Sequence, residues 1–214
     1  MKQYRTIFIS GIDTDAGKTY ATAWLASRIE AENRSVVTQK FIQTGCTDAS
    51  EDIEAHRRLC GKAPLPQDLD GTTAPIIFSY PASAQLAARI DGKEIDLSLI
   101  DKATERLVSA YDCVLIEGAG GLMVPITDDF TSIDYVATRR LPLVLVTNGR
   151  LGSINHTLLS LEAISRRNIE LAAVIYNRHF DSDPVIADDT LGFISRYMER
   201  HFPDVPLLDM PHID

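Results

Sequence analysis

Several short stretches of the 214-residue chain carry residue types suited to phosphate chemistry. The first is "GIDTDAGKTY", residues 11 to 20, one residue away from the phosphate-loop pattern Gly-x-x-x-x-Gly-Lys-Ser/Thr: the leading glycine is Gly11, and Ile12 stands where the pattern places it. In such a loop the backbone N–H groups at a helix start carry positive partial charge and cradle phosphate oxygens, which assigns Asp15, Ala16, Gly17, Lys18, Thr19 and Tyr20 to a nucleotide. Gly17 admits close approach of the backbone, Lys18 is read as an exposed cation reaching the outer phosphates, and the Thr19 hydroxyl can hold Mg²⁺. A capped turn with a chance Gly-Lys-Thr is the competing reading. The apolar run before it and the helical pattern after it favour the loop.

The second stretch is "VLIEGAGG", residues 114 to 121. An apolar run ending in an acid, Glu117, places a carboxylate at a strand end, where P-loop enzymes hold their metal. A strand ending in a polar turn would look similar, but Gly118, Ala119, Gly120 and Gly121 keep side chains out of a space that something else fills. Lys40 ends another apolar run; by residue type alone it is a mobile positive charge or a lysine snorkelling from a strand end. Glu51, Asp52 and Glu54 are acids that could face a metal or complement a helix dipole. In "GRLGSINH", Gly152 and Ser153 precede a helix whose free N–H groups suit an anion, or which they simply cap. Asn177 offers both a donor and an acceptor, though asparagine is also a common turn residue.

The elements that must position these groups are legible as alternation. Residues 6–10, 35–39, 113–117, 143–148 and 172–177 read as strands apolar on both faces, as a covered parallel sheet requires. Helical patterns fall at 17–32, 50–60, 95–110, 131–139, 155–167 and 184–202. The expected fold is α/β: a single P-loop NTPase-like domain over 1–214, with a mostly parallel sheet flanked by helices on both faces. Ligands in such sheets sit at the carboxyl ends of the strands, where Gly11, Lys40, Glu117 and Asn148 all fall. The Pro- and Gly-rich stretch 61–81 is expected to wrap the surface. A formal charge of −9 argues against a nucleic-acid or anionic-membrane partner. Cys46, Cys60 and Cys113 lack metal-ligand spacing, and no apolar run has the length of a signal peptide or membrane span. The expected location is the cytoplasm.

Taken together, Gly-x-Asp-Thr-Asp-x-Gly-Lys-Thr, the second-strand lysine, Glu-Gly-Ala-Gly-Gly and "LGSINHTLL" resemble the dethiobiotin synthetase family, from Thr6 to Ile213. The resemblance implies a homodimeric ligase that closes a cyclic urea on 7,8-diaminononanoate with CO₂ and ATP. It makes Lys18 and Lys40 the catalytic charges, and Thr19, Asp52 and Glu117 the Mg²⁺ ligands. Thr44 matches a substrate-contacting hydroxyl. Asn177, Arg178, Pro211, His212 and Ile213 match the adenine side, and Gly118, Ala119 and Gly120 the nucleotide side of the glycine-rich turn. Gly152, Ser153 and Asn155 match a substrate-carboxylate site shared across the dimer, while His156 is read as structural.

Three departures bear on substrate and nucleotide fit. Phe41 replaces a usual proline, Ala84 and Gln85 replace part of a Pro-x-Ser-Pro-His run, and the chain ends at Asp214 without a later lid helix. The rival readings are an amide-forming relative, a paralogue acting on another diamine, and a nucleotide-switched partitioning ATPase. Asp13, where that last group carries a lysine, argues against it.

Overall fold

The computed structural model describes residues 1–213; the chain end at Asp214 lies outside the described residues. Its centre is a six-stranded, wholly parallel sheet in the order β10-β9-β8-β1-β5-β2. These strands are β1 (Thr6–Gly11), β2 (Val36–Lys40), β5 (Cys113–Gly121), β8 (Leu143–Asn148), β9 (Leu171–Asn177) and β10 (Leu207–Met210). Short ladders join β3 (Gln43–Thr44) to β4 (Ile77–Phe78), and β6 (Pro125–Thr127) to β7 (Phe130–Thr131). The helices are α1 (Lys18–Ala31), α2 (Glu51–Leu59), α3 (Pro66–Leu69), α4 (Ala84–Ile90), α5 (Leu97–Ala110), α6 (Ser132–Thr138), α7 (Ser153–Arg166) and α8 (Pro184–His201).

Side chains alternate across a strand, so each central strand feeds two cores. Phe8, Val114, Ile116 and Leu145 enter one, while Ile7, Ile9, Leu115 and Val146 enter the other. Both faces are therefore covered, and the ends of the strands are the open surface. Polar sequence at those ends is placed there by the fold.

Several elements depart from the sequence-based expectation, among them helix α4, where no helix was expected. β5 continues through Glu117 to Gly121, because the glycines pair onward with β1 (Gly11 opposite Gly121) instead of turning at once. β10 was not anticipated: it is short, follows Pro206 and is only partly buried. α7 begins at Ser153, two residues early. The 61–81 stretch is less irregular than expected, holding α3 and β4, and its Thr73 carbonyl accepts from the Lys40 N–H at 2.7 Å.

Candidate active site

Residues 11 to 17 leave β1 and turn into α1. Gly17 has φ +86°, and a Cβ there would stand 2.0 Å from Asn177 Nδ2, so backbone and space both demand glycine. α1 has no side-chain cap, which leaves its first-turn N–H groups facing the cleft. Asn177 holds the loop from behind: Nδ2 donates to the Ala16 carbonyl at 3.4 Å, and Oδ1 accepts from the His179 N–H at 3.0 Å.

Beside the loop lies a charge cluster drawn from four elements. Lys40 Nζ sits 2.5 Å from Asp52 Oδ2 and 2.9 Å from Glu117 Oε1, and donates to the Gly118 carbonyl at 3.3 Å. Thr19 Oγ1 is 2.9 Å from Asp52 Oδ1 and 3.2 Å from Glu117 Oε1. Lys18 is buried, not exposed as its place in the motif suggests, and folds back to donate to the Asp13 carbonyl at 3.2 Å. His56, fully buried, places Nε2 2.7 Å from the other Glu117 oxygen, Oε2.

The electrostatics follow from this geometry. Burial opposes ionisation of Glu117, but Lys40 and then His56 overcome it and hold the carboxyl far below its usual range. Burial likewise opposes the charge on Lys40, yet Glu117 and Asp52 raise its pKa. Lys18 goes the other way: burial lowers it, Glu117 works against that, and Lys40 adds to the lowering. The cluster thus holds two cations and two carboxylates in a small volume, with Lys18 the less firmly compensated cation.

Among the described residues no three His, Cys, Asp or Glu side chains form a metal-holding group. Thr19, Asp52 and Glu117 are instead a hydroxyl and two carboxylates, all hard oxygen donors around one point. That set suits a cation of the Mg²⁺ type, which keeps waters and takes phosphate oxygens for its remaining positions. That Lys40 sits between the two carboxylates shows how strongly this point favours positive charge.

Local sequence explains the placement. Ser50 caps α2 by accepting from the Ile53 N–H at 3.2 Å, while its own hydroxyl donates to Gln43 at 2.6 Å. Asp52 and His56, four residues apart on one helical face, therefore both point at the cleft. Phe41 settles the question raised by the missing proline. Its N–H donates to the Glu117 carbonyl at 2.8 Å, a bond proline cannot make, and its ring packs against Phe8 and Tyr135 at centroid distances of 5.3 and 4.7 Å. The backbone beside Lys40 is pinned to the end of β5.

The cleft encloses about 400 Å³ and is lined by Asp15, Gly17, Lys18, Thr19, Tyr20, Lys40, Thr44, Asp52, Glu117, Ala119, Gly120 and Asn177. Ala16 and Gly118 lie buried behind its wall. At its far end the Tyr20 and His179 rings stack at 6.0 Å, and His179 stacks on His212 at 4.7 Å. Arg178 is turned away: its guanidinium is spent on Asp209 at 2.6 and 2.7 Å. Its neighbours His179 and Phe180 line the cleft instead. Pro211 is exposed, and Ile213 packs on the α1-side core. A second hollow of about 430 Å³ adjoins the first through Thr14, Thr44, Ala119 and Gly120, with Pro81, Ser83 and Ala84 as its other wall. Gln85 faces away from it, donating to Asp128 at 2.6 Å.

Gly152, Ser153 and Asn155 line neither hollow. Gly152 (φ +94°) turns the chain into α7, and the Ser153 N–H is already committed to the Arg150 carbonyl at 3.0 Å. His156, one residue past this group, lies 3.6 Å from Asp13 and ties the helix start to the mouth of the phosphate loop. Sequence reasoning missed His56, His179 and Phe180. The four-residue step from Asp52 could have pointed to His56; nothing local marks the other two.

A phosphate loop after a central strand, a lysine and an acid on the neighbouring strands, a second acid on the following helix, and this strand order define a P-loop nucleotide-handling protein. Solved structures share the fold. The chain matches a putative plasmid partition protein from Borrelia burgdorferi B31 bound to AMPPNP with TM-score 0.57 at 15% identity, covering all of this chain and 89% of that one. It matches chloroplast FtsY from Physcomitrella patens with TM-score 0.56 at 16% identity, covering 97% and 58%. Residues 5–208 fit the family model described as AAA domain. Among curated proteins, ATP-dependent dethiobiotin synthetase BioD 2 of Haemophilus ducreyi is 48% identical over 206 residues, which is 96% of this chain and 98% of that one. ATP-dependent dethiobiotin synthetase BioD of Chlorobaculum tepidum is 48% identical over 207 residues, 96% of this chain and 87% of that one.

The chain belongs to the dethiobiotin synthetase family and is a ligase of biotin biosynthesis. The family is ATP-dependent, which implies a nucleotide and usually a metal ion. No described helix is long and apolar enough to cross a membrane.

Proposed function

We propose that the protein forms dethiobiotin, ADP and phosphate from 7,8-diaminononanoate, CO₂ and ATP, working in the cytoplasm as a homodimer. The observation that carries this reading is the position of Lys40. It is buried between Asp52 and Glu117 in the phosphate cleft, which it lines together with Thr44, Ala119 and Gly120, residues that also line the second hollow. A reaction that joins a carbamate to a γ-phosphate needs a positive charge at such a junction.

In this reading the first-turn N–H groups of α1 and Lys18 hold the phosphates, with Asn177 and the rings of Tyr20, His179 and His212 at the base. Thr19, Asp52 and Glu117 would hold Mg²⁺, which supplies neutralisation of phosphate charge. One amine of the diamine bonds to CO₂ and loses a proton, giving a carbamate beside Lys40 and the Thr44 hydroxyl. A carbamate oxygen then bonds to the γ-phosphorus as ADP leaves. The second amine attacks the carbamoyl carbon, phosphate departs with the carbon–oxygen bond pair, and the ring closes with loss of a proton. Lys40 and Lys18 neutralise the charge crowded between carbamate and phosphate through these steps.

The substrate carboxylate is assigned to Gly152, Ser153 and Asn155 of a neighbouring subunit. That these residues lie outside both hollows of their own chain supports the assignment, as does Leu151, 88% exposed beside them. Light scattering on dilution, with activity followed in parallel, tests this part: activity should fall with dissociation, and a fully active monomer contradicts it. The reaction itself is tested by mass detection of dethiobiotin after incubation of the protein with Mg-ATP, bicarbonate and 7,8-diaminononanoate. No dethiobiotin from folded protein would overturn the reading.

A further inference from the structure

His56 has no role in the proposed reaction, yet it is the most completely buried ionisable side chain at the site, with a relative exposure of 0%. Among the described residues its only hydrogen bond runs between Nε2 and Glu117 Oε2 at 2.7 Å, and Nδ1 has no partner. An ionised carboxylate can only accept, so the nitrogen facing it, Nε2, is the donor to Glu117. Burying a histidine with one nitrogen unsatisfied is unfavourable for folding alone.

The consequence lies at Glu117. With Oε2 occupied by His56, the carboxylate cannot rotate, and Oε1 alone is presented to Thr19 and Lys40, at 3.2 and 2.9 Å. The same helix delivers Asp52 one turn earlier, with Oδ1 2.9 Å from the same Thr19 hydroxyl. α2 thus places one acid directly and orients the other through the imidazole. We propose that His56 is a positioning residue for the metal site: it sets the tilt of the Glu117 carboxylate so that Oε1 converges with Asp52 and Thr19 on one point. This rests on the reading of Glu117 as a metal ligand. Partners that orient metal ligands in this way commonly carry 10–100-fold of metal affinity or activity.

Two polar substitutions separate orientation from packing. A glutamine amide nitrogen reaches about as far as His Nε2, and an asparagine nitrogen only about as far as Nδ1. In His56→Gln the donor to Glu117 survives; in His56→Asn it is lost, while the site stays polar. The readout is Mn²⁺ binding in the presence of a non-hydrolysable ATP analogue, followed by the paramagnetic resonance signal of free Mn²⁺, with melting temperature as the check on folding. His56→Asn should lose about 10–100-fold in Mn²⁺ affinity, and His56→Gln should recover most of it at a similar melting temperature. Folded His56→Asn with wild-type affinity, or Gln and Asn variants weakened equally, overturns the proposal. Wild-type protein that takes up no Mn²⁺ contradicts the metal reading itself, and the role of His56 with it.

Discussion

The two ends of the nucleotide cleft are built on opposite plans. At the phosphate end, Lys18, Lys40, Glu117 and His56 are buried, and the charges are matched by partners from β2, α2 and β5. At the base end, His179 and His212 are exposed rings stacked on one another, and His179 also stacks on Tyr20. Charge buried in low dielectric acts strongly and needs rigid compensation. Aromatic faces offer a weaker contact that accepts many flat ligands. Affinity is therefore expected to come from the phosphate end, and the smaller preference among bases from the other.

The largest effect should come from Lys18. Lys18→Ala removes about two charge-assisted hydrogen bonds to phosphate, roughly 3 kcal/mol or more, so ATP affinity by calorimetry should fall about 10²-fold. GTP binding should fall by the same factor, because the charge does not read the base. Unchanged ATP affinity in the folded variant would break the phosphate-loop reading.

Glu117→Gln should act on stability. Removing one partner of a buried ion pair costs about 3–5 kcal/mol, and because Asp52 still faces Lys40 the lower figure is expected from urea unfolding at neutral pH. The sign with pH is fixed by the depressed carboxyl of the folded state. Its contribution is fully present above the unfolded carboxylate value, about 4.3, and is lost as pH falls below it towards the folded value. The gap between wild type and variant should therefore narrow in acid. A gap that stayed constant down to pH 2 would mean that Glu117 is not held ionised by its neighbours.

The smallest effect belongs to the base end. His179→Ala removes one stacking face, worth about 0.5–1.5 kcal/mol. ATP should bind several-fold more weakly, while inorganic triphosphate, which has no base, should bind as before. Equal losses for both ligands would place His179 in the phosphate site and erase the contrast.

The same contrast governs what could be read from sequence. The phosphate loop, Lys40 and Glu117 were legible because buried parallel strands are continuous apolar runs, and their polar ends fall on one rim wherever the sheet order places them. The acid on α2 was not decided by residue type, since Glu51, Asp52 and Glu54 all suit a helix start; only the helical phase set by the Ser50 cap selects Asp52. The base end gathers rings from α1, from the turn after β9 and from beyond β10. β10 itself is a half-buried edge strand with little pattern, so His179 and Phe180 had no local signature. Arg178 looked available beside Asn177, but Asp209 on β10 claims it. The turn read at "EGAGG" became strand because glycine hides pairing that backbone atoms alone provide.

The central claim is that Lys40 joins nucleotide and carbamate chemistry at one point. The direct measurement is a single-turnover reaction with ¹³C-bicarbonate, ATP, Mg²⁺ and 7,8-diaminononanoate, run on wild type and on folded Lys40→Gln protein. Labelled dethiobiotin and ADP should appear in equal amounts from wild type. Lys40→Gln should still bind ATP yet form labelled product roughly 10²–10³-fold more slowly, as expected for losing one preorganised charge. Labelled product at the wild-type rate from Lys40→Gln would contradict the account.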